Sequence, residues 1–164
     1  MSEKIQIITN LSVYPTADEL DEVFNRLHLA AKTALKNAYA PYSEFRVGAA
    51  LLLENGEIVL GNNQENAAYP SGLCAERVAF FSAGANFPGV RIIAAAIVAG
   101  SEKYEVTEPV SPCGACRQVM AEYETKQKHS IPVIFSGETG PVFKVDAVGD
   151  LLPLKFNGSF LKKG

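Results

Sequence analysis

Three cysteines, a glutamate and an arginine carry most of the chemistry open to this chain. Cys113 and Cys116 stand in "PCGAC", and Cys74 opens "CAER", with Glu76 and Arg77 following it. A C-x-x-C pair serves two purposes, a reversible disulfide or half of a metal clamp. The disulfide needs only Cys113 and Cys116, and against it stand the lack of a preceding Trp and the late position of the pair. A closed structural zinc site would use the same two residues. Cys74 adds a third sulfur, and three protein ligands leave tetrahedral zinc one position for water, the mark of a catalytic site.

Glu76 lies two residues after Cys74 and would not share its helical face, which leaves its carboxylate free to move protons beside the metal. Arg77 is placed to offset the charge of the thiolates. The plainer readings of the same residues are an exposed helix glutamate and a surface arginine.

The elements around these residues set their positions. "PTADELDEVFNRLHLAAKTALKNAYAP" reads as an amphipathic helix, with Thr16 and Glu19 as its capping box and Pro41 as its end. "FRVGAALLLENGEIVLGNN" reads as a hairpin turning at Asn55-Gly56. "CAERVAFFSAGAN" reads as a buried helix, and "VRIIAAAIVAG" as a strand covered on both faces. "CGACRQVMAEYE" then opens another helix, followed by the strand "IPVIF", a turn over 137–140 and a short closing element. Strands separated by helices need crossovers, so the later part of the sheet should be parallel and the whole an α/β sandwich with a mixed sheet. Both cysteine segments then fall where a loop enters a helix, whose unpaired amides and dipole favour thiolate. One domain is expected over 16–164, behind an N-terminal arm of residues 1–15.

Composition narrows the partners. A net charge of −3 gives no basic surface for a phosphate backbone, so nucleic acid is not expected. There is no apolar run of membrane-spanning or signal-peptide length, and an odd count of 3 cysteines does not suit an oxidising compartment. A cytoplasmic protein without a membrane partner is the expectation. His28, inside the opening helix, and His129, in a polar connection, are read as structural or solvent-facing rather than as metal ligands.

The segments "APYSEFRVGAALL", "GNNQENAAYPSGLCAER" and "VSPCGACRQVM", in this order, together with the closing "DLLPLKF", resemble the cytidine deaminases, zinc-dependent nucleoside deaminases. The resemblance implies a three-layer α/β/α sandwich with a mixed central sheet. It also implies one Zn²⁺ per subunit on Cys74, Cys113 and Cys116, with Glu76 as the proton shuttle and Arg77 tempering the thiolates. The activity implied is hydrolytic deamination of cytidine and 2′-deoxycytidine to the uracil nucleosides with release of ammonia, in pyrimidine salvage. Asn63 and Glu65 match the pair that grips the ribose, and Phe45 the aromatic that packs on the pyrimidine. Ala75 matches a backbone amide that contacts the base, and Ser111 a carbonyl that receives the amine. Tyr69 and Phe156 match aromatics that reach a neighbour's pocket in the homotetrameric three-cysteine class. Leu154 and Lys155 depart from the small residues often found before the last of these.

Three rivals remain at this level. A deaminase of another aminated pyrimidine, such as blasticidin S, would lack the ribose motif; a thiol–disulfide oxidoreductase would hold no zinc; a noncatalytic zinc module would be indifferent to Glu76.

Overall fold

The computed structural model describes residues 2–161. Its elements run β1 (Ser12–Tyr14), α1 (Glu22–Leu35), β2 (Phe45–Leu53), β3 (Ile58–Asn62), α2 (Ala75–Asn86), β4 (Ile92–Ser101), α3 (Gly114–Gln127), β5 (Val133–Ser136) and β6 (Val142–Val145), with short 3₁₀ turns between them. The strands form a six-stranded sheet in the order β1-β6-β5-β4-β2-β3. Only β4 and β5 pair in parallel, because α3 carries the chain across between them; the other neighbours are antiparallel.

Alternation along the central strands sorts side chains to two layers. Ala49, Leu51, Leu53, Ala95 and Ile97 join α2 and α3 in one core, whereas Ala50, Ala94, Ala96 and Val98 join α1 in the other. The result is the α/β/α arrangement with a mixed sheet. β4 is apolar from Ile92 to Gly100 because it lies at the middle of the sheet under both layers.

Within the α2–α3 layer, Phe80 meets Tyr123 edge to face with ring centroids 5.3 Å apart. Burial of Phe80 contributes about 2–3 kcal/mol, and the ring pair fixes the two helices side by side. The N-termini of α2 and α3 thereby stay level. Gly61 on β3 completes the placement: a Cβ there would lie 2.4 Å from the Ala75 carbonyl oxygen, so only glycine lets the start of α2 sit this close to the sheet.

The structure corrects two local expectations. The Thr16–Glu19 capping box does not form; Ala17–Glu19 is a 3₁₀ turn that buries Leu20, and Asp21 caps α1 by accepting from the Phe24 amide at 2.9 Å. Helix α2 is buried on one side only, since Phe81 on its outer side is 45% exposed. Residues 12–14 of the N-terminal stretch form an edge strand beside β6, and Thr9 Oγ1 donates to the Asp150 carbonyl at 2.8 Å.

Candidate active site

Cys74 is the N-cap of α2, Cys113 is the N-cap of α3, and Cys116 lies in the first turn of α3. The three Sγ atoms all fall within 4.8 Å of one another, and those of Cys113 and Cys116 are 3.4 Å apart. Tetrahedral zinc with about 2.3 Å bonds to sulfur needs S···S separations of about 3.8 Å, so the donor set fits the ion with small side-chain adjustments. Neither N-cap cysteine satisfies a helix amide with its side chain. The sulfurs are left for another partner.

The surroundings are suited to thiolates. Arg77, one turn into α2, brings Nη2 to 3.6 Å from Cys74 Sγ, while its Nε is buried without a partner. Cys74 is held down to about 5, first by its hydrogen bond with Cys116 and, against the upward pull of burial, by Arg77. Cys116 is pushed upward by that same bond to Cys74 and by burial.

Glu76 is buried, and removal from water lifts its carboxyl above the ordinary range; its own backbone amide partly opposes this, and Cys74 adds to it. Its side chain lines a cavity of about 450 Å³ together with Cys74, Cys113 and Arg77. This volume lies in the range of small-molecule sites. Among the described residues the sulfurs are the only group of His, Cys, Asp and Glu placed to share a metal ion. His28 is instead buried beneath α1, its Nε2 3.0 Å from Ser136 Oγ, and His129 is exposed.

Phe45, Asn63, Glu65, Tyr69 and Ser111 also line the cavity. The amide of Asn63 is engaged with β2: its Oδ1 accepts from the Val47 N–H at 2.8 Å and its Nδ2 donates to the Phe45 carbonyl at 2.9 Å. Glu65 accepts from the amides of Tyr42 at 2.9 Å and Ser43 at 3.3 Å and from the Ser43 hydroxyl. Burial pulls the Glu65 carboxyl upward, but these donors outweigh it and hold the group below its ordinary value. Ala75 is the first residue of α2, where a backbone amide has no partner inside its helix. Tyr69, 77% exposed, stands at the mouth with its ring edge toward Tyr42. Phe156 is not among the lining residues; it stacks on Phe160 at 5.9 Å and is 57% exposed.

Sequence reasoning missed Ser43, which bridges Glu65 to the Phe45 amide, its Oγ accepting from that amide at 3.0 Å. Glu44 beside it takes a left-handed φ of 55°, an unfavourable state for a non-glycine residue that aims its two neighbours into the cavity. The segment "YSEF" held no turn glycine that would have signalled this bend.

Comparison with known proteins agrees with the geometry. A profile of the cytidine and deoxycytidylate deaminase zinc-binding region matches residues 21–130. A cytidine deaminase of Sporosarcina psychrophila is 47% identical over 133 residues, covering 80% of this chain and 90% of that protein. The crystal structure of cytidine deaminase from Burkholderia pseudomallei superposes with a TM-score of 0.69 at 44% identity, over 80% of this chain and 97% of that one. The corresponding Mycobacterium tuberculosis structure gives a TM-score of 0.63 at 32% identity, over 85% and 99%. With three sulfurs gathered at two helix starts beside a buried glutamate, and relatives matching along most of its length, the chain belongs to the zinc-dependent cytidine and deoxycytidylate deaminase family.

Proposed function

We propose that the protein hydrolyses cytidine and 2′-deoxycytidine to uridine and 2′-deoxyuridine with release of ammonia. The observation that carries this reading is the pairing of a three-sulfur metal site with a buried carboxyl in one cavity. Bound at Cys74, Cys113 and Cys116, Zn²⁺ supplies a Lewis acid that makes water a competent nucleophile near neutral pH. Glu76 takes the proton released by that water and delivers it to the ring nitrogen next to the carbon under attack. A carbon–oxygen bond forms, and Glu76 carries the proton of the newly attached hydroxyl to the exocyclic nitrogen as the carbon–nitrogen bond breaks, leaving the carbonyl and ammonia. Arg77 stabilises the thiolates, which would otherwise place three negative charges around one divalent ion.

Phe45 packs on the pyrimidine face, the Ala75 amide contacts the base, and the Ser111 carbonyl receives the amine. Asn63 and Glu65 bind the ribose; Asn63 also fixes the β2 main chain, so its loss would disturb the wall as well as the grip. The cavity favours a free nucleoside over a nucleotide. Among the described residues Arg77 is the one Lys or Arg that lines it, and its guanidinium is directed to Cys74, while Glu65 would repel a phosphate.

Tyr69 and Phe156 complete the pocket of a neighbouring subunit in a homotetramer, a reading supported by their exposure, with a cytoplasmic role in pyrimidine salvage. Sedimentation of the active species tests the assembly, and an active monomer would remove this role from both aromatics. For the reaction, zinc-loaded protein is assayed by the ultraviolet change on cytidine, with deoxycytidylate and blasticidin S as competitors. Turnover of cytidine at one zinc per chain is expected; an inert, fully loaded protein, or preference for either competitor, refutes the assignment.

A further inference from the structure

Arg117 follows Cys116 directly on α3, and its half-buried side chain does not line the cavity. Its guanidinium makes three hydrogen bonds to three places. Nε donates to the Pro112 carbonyl at 2.7 Å, Nη2 to Ser111 Oγ at 2.9 Å, and Nη1 to the Leu151 carbonyl at 3.0 Å. The first two acceptors belong to the segment that runs into Cys113 and walls the cavity at Val110 and Ser111. That segment has no secondary structure, and Pro112 brings no amide donor of its own. From Thr107 to Pro112, among the described residues, the hydrogen bonds to other parts of the chain are those two from Arg117.

The third acceptor lies in the 3₁₀ turn Val148–Leu151, which is separately pinned to α3: Glu124 accepts from the amides of Val148 at 3.0 Å and Gly149 at 2.9 Å. One planar cation therefore joins the start of α3, the cavity wall and the C-terminal segment. A guanidinium offers five donors in a fixed fork and can serve three acceptors in different directions, whereas an ammonium on a flexible stem cannot reproduce that fork.

We infer that Arg117 is a positioning residue for the deamination: it holds the Ser111–Cys113 wall in register with the sulfurs and ties that wall to the C-terminal segment. The inference rests on the proposed function only for its effect on turnover. A wall that shifts by a fraction of an ångström misplaces the Ser111 carbonyl against the departing amine, so the loss falls on kcat.

The test compares zinc-loaded parent, Arg117→Ala and Arg117→Lys by zinc content, by kcat and KM on cytidine, and by hydrogen–deuterium exchange. For Arg117→Ala, zinc stays at one per chain, kcat falls about 10–100-fold, and KM changes by less than about threefold. Peptides covering 111–113 and 148–152 exchange faster together while the rest of the chain is unchanged, and added methylguanidinium restores part of kcat. Arg117→Lys recovers only part of the parent rate; should the alanine variant not fold, this variant carries the same readouts. Parent-like kcat in both variants overturns the inference. So does acceleration in only one of the two segments, or exchange that rises throughout the chain with loss of zinc and no rescue. A loaded parent inert on cytidine defeats the functional reading instead, and the paired exchange of the two segments still decides the tie.

Discussion

Two buried glutamates lie in the same helical layer and live in opposite circumstances. Glu124, near the end of α3, accepts from the amides of Ile131, Val148 and Gly149 at 2.9–3.0 Å and has Lys155 Nζ at 3.8 Å. Glu76, in the first turn of α2, faces a cavity beside three sulfurs, where its partners are its own backbone amide and the Cys116 thiol. A carboxylate with three amide donors from other elements is a structural tie; one kept from water at the wall of a cavity is held ready for a proton. Burial alone distinguishes nothing here, because both residues are under 10% exposed. The count and origin of partners does.

The comparison breaks most sharply under substitution. Removing a sulfur with Cys116→Ala should abolish both zinc retention and turnover, seen by metal analysis alongside the ultraviolet assay. Glu76→Gln should keep the metal and the fold and lose about 1,000-fold or more in kcat, the scale of general acid–base catalysis; retained turnover would erase the distinction between the two glutamates. Glu124→Ala should do the reverse. It strands two buried amides and a half-buried one and should cost about 2–4 kcal/mol in denaturant unfolding, with a far smaller change in kcat at 25 °C than Glu76→Gln while the chain stays folded.

The smallest effect comes from the opposite face of the sheet. Burial, aided by Lys32, depresses His28 from 6.5 to about 4. The unfolded chain therefore binds the extra proton between those values, so stability present above about pH 6.5 is lost as pH falls toward 4. At pH 5 the deficit is about 2 kcal/mol. Unfolding of His28→Gln at pH 7.5 and 5 should lack that part of the decline, and an identical decline would remove His28 as its source.

Which residues meet was legible where a short string carries its own geometry. The hairpin at Asn55-Gly56, the helix starts at the cysteines and the apolar β4 needed no distant information. The convergence of Cys74 with Cys113 and Cys116 was legible because each sits at a helix start in an α/β order, and helix starts in one layer gather at one end of a sheet. Partners of Arg117 and Glu124 were not: Leu151 and Val148 lie across a loop, a strand pair and a turn, and nothing in "CRQVMAEYE" names them. Residues 142–145 were equally opaque, since "VFKV" is too short to display a period. The Thr16 capping box misled because its spacing is correct, yet burying Leu20 tightens that turn and delays the helix to Asp21.

The two ends of the β2–β3 hairpin differ in what an engineer may attach. At Gly56 the space around an added Cβ is empty, so the loop can be lengthened or fused to a fluorophore on the solvent side, given a residue that tolerates its φ of +88°. At Gly61 not even a methyl group fits beneath Ala75. A probe grafted at the first position would report on the enzyme, and a change at the second would dismantle it.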